Sequence, residues 1–500
     1  AGGSRRGGPF GDFLRLADEA AEGRPPPVEL ASTGAALARK LRAEMTTFRA
    51  ADVAQIATAA CRLHHRDPAL MEAIAAHVLR GMVAYPLFAL CNVANCFARL
   101  EYSHRGLMDA IAGFLAEPSR AEQLFTIDIA SLVFAFGQLG HSGPATGALL
   151  ETCAARLQQL HHEIGGPNCA TILNSYARLS ECNPELFKTL ARSAIETRPE
   201  SFEVHHISVI MNAFAKCSVR RPQTMHLLGG FLEGRINELS PQNFANIANA
   251  FAKLDCYNHE LFVSLQRRLV QEDLSAYKLY ELAILTHSLA KLKFGGAATY
   301  SALFGEAALR TTDRWEPQSV AQLLDAMRRK HVHLHEPLAE LLVERFLRDF
   351  RKYAVHPLTQ TAWCLVELEV LDLAGRAPPE AAVEGGLPQR SEDEGAALWL
   401  MRAVLERMEE QNGERALTAT QQKYVQQLIR DYHYKHEVDY GLLPQRTKAF
   451  CKSLFDVPSS VVASVARKGG RGHGGRGQGG GGAGRGGDYG GGFGEVGLPA

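Results

Sequence analysis

The 500-residue chain carries 54 basic and 54 acidic side chains and is 46% hydrophobic. A net charge of zero excludes a globally basic nucleic-acid binder but leaves room for a local stripe of cations. The apolar fraction suffices for a large core, and no apolar run approaches the ~18 residues that would cross a bilayer.

Residues 1–27 are rich in Gly, Arg and Pro and read as disordered, leaving room for one short helix at Phe10–Ala21. Residues 28–50 read as an N-terminal capping helix, with Leu37–Phe48 as its core. Because residue 1 is Ala and not Met, a targeting peptide upstream is left open. Residues 51–373 form a repeat array whose clearest copy is Ser240–Leu254, S-P-Q-N-F-A-N-I-A-N-A-F-A-K-L. Ser240 caps a helix and Pro241 occupies its first turn, where a missing N–H costs nothing. Ile247, Phe251 and Leu254 make one apolar stripe, and Asn246, Asn249 and Lys253 make a polar stripe on the other side.

With Leu254 as anchor, the pattern recurs at Leu63, Leu100, Leu139, Leu179, Cys217, Leu292, Lys330 and Leu368, at spacings of 37 to 40 residues. Seven residues before the anchors stand Ile56, Val93, Leu132, Ile172, Ile210, Ile247, Leu285 and Leu323, with only Thr361 breaking the column. A second helix follows each anchor, as at Pro68-Ala-Leu-Met and Pro184-Glu-Leu-Phe, after turn residues such as Asn183-Pro184 and Gly295-Gly296. A hairpin of two helices cannot bury its apolar stripe alone, so neighbours must stack. The expected fold is all-α, an α-solenoid of about nine helical hairpins with a period of ~38 residues and disordered termini.

Residues 374–395 break the period with Pro378-Pro379, Gly385-Gly386 and an acidic run, and read as a linker. Residues 396–457 return to helix over Ala396–Gln411 and Thr418–Tyr434, where Thr418 and Gln421 suit a capping box and the pair can close the solenoid. Residues 458–500 are an Arg-Gly-Gly-rich tail that cannot form a core and reads as disordered.

Three columns of the first helix stay off the apolar stripe. One residue before the anchor, seven of nine positions are basic: Arg62, Arg99, Arg178, Lys216, Lys253, Lys291 and Arg329. Five and eight before it come amides, among them Asn92, Asn95, Asn174, Asn212, Asn246 and Asn249. Stacking aligns them into a ribbon of amides edged by cations. Cations neutralise phosphates and amides hydrogen-bond base edges, which suits single-stranded RNA. The same columns fit two other readings: basic residues in a last turn favour the helix dipole, and an Asn ladder can be structural or line a peptide groove. The tail weighs toward RNA, because Arg471, Arg476 and Arg485 with Tyr489 and Phe493 combine flexible cations and stacking rings.

Other chemistry is weakly signalled. Ten scattered cysteines without a C-x-x-C pair, including Cys61, Cys96, Cys169, Cys217 and Cys364 at core-like positions, read as buried thiols in a reducing compartment. The triplet His331, His333 and His335 reads as a surface cluster and not a metal site. No phosphate loop, nucleophile elbow or zinc-protease motif occurs, so catalytic residues, metals and cofactors are expected to be none.

The repeat at Ser240–Phe262, S-P-Q-N-F-A-N-I-A-N-A-F-A-K-L-D-C-Y-N-H-E-L-F, resembles the octotricopeptide- and heptatricopeptide-type repeats of organellar RNA-binding proteins of algae and protists. It also looks like the helical-repeat domain of the RNA-editing substrate-binding complex subunit six family. The resemblance spans about residues 51–373 and implies RNA binding and a mitochondrial address, with the plastid or nucleus less favoured. It further implies work in RNA processing, editing, stability or mitoribosome assembly beside other proteins of such a complex, with no membrane partner. Two departures stand out: no RAP domain is visible after Leu373, and the Arg-Gly-Gly tail lies outside the repeat pattern. The rival reading is an armadillo-like protein scaffold that touches RNA only through the tail.

Overall fold

A computed structural model of the chain describes residues 8–21, 27–196, 199–330, 335–370, 373, 385–390, 394–414, 417–436 and 440–455. All regular elements among them are helical, and the fold is an all-α solenoid of helical hairpins. It divides into two compact units, one ending at Leu265 and the other beginning at Gln266.

The first helices of the repeats are α3 (Ala50–Arg62), α5 (Leu87–Arg99), α8 (Thr126–Leu139), α10 (Gly166–Arg178), α12 (Val204–Lys216), α14 (Pro241–Leu254), α16 (Leu279–Lys291), α18 (Pro317–Lys330) and α20 (Val355–Glu367). Each is 13 or 14 residues long. The column seven before the anchor is fully buried from Ile56 to Leu323, as its periodicity requires. Ser240 accepts a hydrogen bond from the Asn243 N–H, which fixes the start of α14.

How these helices stop is the main local finding. In the eight repeats where it is described, the residue after the anchor is left-handed: His64, Glu101, Gly140, Ser180, Ser218, Asp255, Lys293 and Glu369 have φ of 49 to 60°. The next N–H then returns to the carbonyl three before the anchor, as Tyr102 N to Phe97 O and Cys256 N to Phe251 O, at 2.9 to 3.2 Å. This is a Schellman stop, in which two turn N–H groups satisfy carbonyls that the helix leaves open. Only one of the eight is glycine, so the others carry a steric cost of about 1 kcal/mol each. The same turn can close an aromatic pair, as where Phe97 and Tyr102 meet edge to face with ring centroids 5.9 Å apart.

The second helices include α4 (Pro68–Gly81), α6 (Arg105–Leu115), α9 (Pro144–Gln159), α11 (Pro184–Leu190), α13 (Pro222–Glu233), α15 (His259–Gln271), α17 (Ala297–Leu309) and α19 (Glu336–Arg348), with a short α7 (Pro118–Ala121) between α6 and α8. A further column appears just before each first helix, fifteen residues ahead of the anchor: Phe48, Tyr85, Leu124, Ile164, Phe202, Leu239, Tyr277, Trp315 and Tyr353, all buried. These residues plug the gap where the chain returns from the second helix to the next first helix.

In the first unit, α3, α5, α8, α10, α12 and α14 stack in chain order, and α4, α6, α9 and α11 follow beside them. The expectation for residues 1–27 needs a correction in part: Pro9–Ala21 is α1, whose Phe10, Phe13, Leu16 and Ala17 are buried. With α2 (Pro27–Ala43) it forms one more hairpin, and α1 packs on α3 where a preceding first helix would lie. In the second unit, α16, α18 and α20 stack likewise. Next come α21 (Ala396–Glu414), α22 (Ala419–His436) and α23 (Gln445–Phe455). Here α22 covers α20: the Trp363 indole N–H donates to Asp431 Oδ2 at 3.0 Å.

The thiol reading also needs correction at one position. Cys217 is bonded to Cys182, whose Cα lies 5.2 Å away, because the turn after Leu179 brings Cys182 against the end of α12. Cys91, Cys96, Cys153, Cys169, Cys256 and Cys364 are buried free thiols, whereas Cys61 and Cys451 are half-buried.

Candidate nucleic-acid interface

The columns one, five and eight residues before the anchors lie on the face of each first helix turned away from the apolar stripe. In the first unit this face is open. Asn92 is exposed, and Asn95, Asn174, Asn212, Asn246 and Asn249 are half-buried. Among the described residues, the side chains of Asn92, Asn174, Asn212, Asn246 and Asn249 have no hydrogen-bond partner. Mid-helix asparagine is disfavoured by propensity, and here no backbone hydrogen bond offsets it.

The cations edge this face at the C-terminal ends of the helices. Arg62, Arg99, Arg178, Lys216 and Lys253 are exposed. Arg178 donates to Gln138 Oε1 of the preceding repeat at 3.0 Å, so this column is linked from helix to helix. Partial burial, helped by the Arg178 charge, lowers the Lys216 ammonium pKa below its usual value. Two like charges held side by side in this way favour a shared anion. Arg99 donates to Asn95 Oδ1 at 3.0 Å and lies over the Phe134 ring at 5.8 Å. Arg62 is drawn toward α1 by Asp18, at 2.8 Å.

In the second unit the same columns hold different chemistry. Lys291 and Arg329 are half-buried. The position five before the anchor is His287, then Asp325, then Trp363. Asp325 is 1% exposed and accepts from His287 Nε2 at 3.0 Å, Arg328 Nη2 at 2.8 Å and Arg329 Nε at 2.6 Å. Burial opposes its ionisation, but His287, Arg329 and Arg328 together outweigh that and hold the carboxyl well below the usual range. The Arg328 guanidinium also stacks on Trp363 at 4.1 Å. Arg329 thus answers a buried carboxylate in its own repeat.

Of the remaining candidates, Arg471, Arg476 and Arg485 lie outside the described residues, as do His331 and His333. His335 caps α19 by accepting from the Leu338 N–H at 3.3 Å. No cluster of metal-ligating side chains occurs among the described residues. No described helix is long and apolar enough to cross a membrane. The sequence reading missed the Asp325 cluster. Its only sequence signal is the replacement of Asn by His, Asp and Trp in one column.

Stacked helical hairpins with one open polar face define the class, a helical-repeat protein. The chain belongs to the RNA-editing substrate-binding complex 6 protein family, whose model matches residues 35–299. A comparison with curated protein sequences finds no match. Among solved structures the chain is similar to one from a homology model of the full-length AP-3 complex in an intermediate open conformation. That likeness has 11% identity and a TM-score of 0.23, over 92% of this chain and 94% of that one. It is also similar to the pentatricopeptide repeat protein PPR10 in complex with an 18-nt psaJ RNA element, at 11% identity and a TM-score of 0.22, over 85% and 78% of the two chains.

Proposed function

We propose that this chain is a non-catalytic subunit of a mitochondrial RNA-editing or RNA-processing assembly that holds single-stranded RNA on the first unit. The observation that carries the reading is the set of asparagines without partners, edged by exposed Arg178, Lys216 and Lys253, in a chain whose family is named for an RNA-editing substrate-binding complex. Phosphates lie along the basic edge, with Arg62 and Arg99 contributing where they leave their present partners. Bases turn toward Asn92, Asn95, Asn174, Asn212, Asn246 and Asn249. Lys291 and Arg329 hold the same column in the second unit with a smaller share, because Arg329 is engaged by Asp325. The tail, residues 458–500, adds sequence-tolerant binding through Arg471, Arg476 and Arg485. The face uses no cofactor, and other proteins of the complex dock elsewhere.

The test is binding of a random single-stranded RNA pool to the full chain across a salt series. Arg178→Ala, Lys216→Ala and Lys253→Ala together should flatten the log–log salt slope by about 2, at about 0.7 for each phosphate that a removed cation would neutralise. The alternative, a protein scaffold touching RNA only by its tail, predicts that this triple variant binds as the parent does. In that case Arg471→Ala, Arg476→Ala and Arg485→Ala would abolish binding.

A further inference from the structure

Successive first helices pack along their length, and α8 meets α10 closely in one register. The residue two before the anchor of one repeat meets the residue four before the anchor of the next. A Cβ on Gly137 would stand 3.2 Å from the Ser175 Cα. Elsewhere within each unit these two positions hold small buried residues on helices that pack together, such as Ala98 and Ala135, Ala215 and Ala250, and Ala290 and Ala326. Between α3 and α5 this register brings two thiols together, Cys61 and Cys96.

We infer that Cys61 and Cys96 form a redox-active dithiol that exchanges with low-molecular-weight disulfides, with Cys61 attacking and Cys96 resolving. Cys61 is half-buried and Cys96 is 6% exposed, so an incoming disulfide reaches Cys61 first. The neighbouring Cys96 thiol, with the Arg99 and Arg62 charges, outweighs burial and brings Cys61 down to about 7. Cys61 and burial in turn push Cys96 up, with Thr58 and Arg99 opposing. Asp18 on α1 faces this group only through its ion pair with Arg62. The Cys182–Cys217 bond joins the ends of neighbouring repeats in the same unit, so a bridge between successive repeats is compatible with the stacking.

The exchange balances in two steps. The Cys61 thiolate attacks one sulfur of a disulfide RSSR, forming Cys61–S–S–R and releasing RS⁻. Cys96 then attacks the Cys61 sulfur, its proton passing to the second leaving RS⁻, which gives the Cys61–Cys96 disulfide and a second thiol. Overall, one RSSR is reduced to two thiols as the pair is oxidised.

Rates of iodoacetamide alkylation, read by peptide mass spectrometry on the full chain between about pH 5.5 and 9, test the attacking role. Cys61 should label about tenfold or more faster than Cys451 at about pH 7, with a midpoint near its lowered value, since burial pushes Cys451 up to about 11. Incubation with glutathione disulfide should yield a Cys61–Cys96 linked peptide, and Cys96→Ser should stop at a Cys61–glutathione adduct. If that variant fails to fold, Arg62→Gln with Arg99→Gln should move the Cys61 rate profile to higher pH while the parent still bridges. Labelling of Cys61 no faster than Cys451 would overturn the inference. So would a parent chain that accumulates the glutathione adduct without the bridge. Neither readout depends on RNA.

Discussion

The two units present the same helix face in opposite states. In the first unit the column five before the anchor is mostly asparagine and has few protein partners; in the second it is His287, Asp325 and Trp363, tied to one another and to α22. Both faces are polar by composition, yet one is open to a ligand and the other is closed by its own charges. A polar column becomes a binding surface only where the fold leaves its hydrogen-bonding groups unanswered. A buried carboxylate held by two arginines and a histidine has no capacity left for phosphate or base.

Breaking the closed half should have the largest effect. Asp325→Ala strands His287, Arg328 and Arg329 in a half-buried site and should cost about 3 to 5 kcal/mol. All three tryptophans, Trp315, Trp363 and Trp399, belong to the second unit, so their fluorescence during urea unfolding reads that unit. In the first unit Asn212→Ala should change stability by less than about 0.5 kcal/mol, since it removes no hydrogen bond.

Acid sharpens the contrast. Because the folded Asp325 carboxyl is held below its ordinary value of 3.8, its contribution is complete above that value and is lost as pH falls through and below it. Tryptophan-monitored stability should therefore fall steeply below about pH 4, and Asp325→Asn should remove much of that slope. A slope unchanged in the variant would show that other carboxylates carry it.

For the open half the expected effect is on binding. Asn212→Ala with Asn249→Ala should weaken single-stranded RNA binding by about 2 kcal/mol, about one per hydrogen-bonded amide, whereas Gln322→Ala with Gln360→Ala in the second unit should leave it unchanged. Fluorescence anisotropy on the full chain decides this, and equal losses from both pairs would erase the distinction between the units. The smallest effect concerns the turns both units share. Ser218→Gly or Lys293→Gly relieves a left-handed residue and should stabilise its repeat by about 0.5 to 1 kcal/mol in urea titration.

The repeat period, the buried column from Ile56 to Leu323 and the exposed cations from Arg62 to Lys253 were legible because a helix converts spacing directly into a face. The stops were not. Glycine is the sequence mark of a left-handed residue, and this chain uses His, Glu, Ser, Asp and Lys at seven of those eight positions. The plug from Phe48 to Tyr353 was also hidden, since it lies in a turn where no helical period marks it. Helix α1 was legible as a short helix at Phe10–Ala21, but its packing on α3 was not, since that contact is tertiary.

By itself the sequence determined the all-α class, the hairpin period and the polar face, since these follow from local periodicity and from each hairpin's need to bury one stripe. Tertiary structure decided which parts of that face are open and that Cys217 meets Cys182. Those outcomes depend on which residue of the next repeat stands opposite. That is a relation between positions some 35 to 38 residues apart, which no single helix encodes.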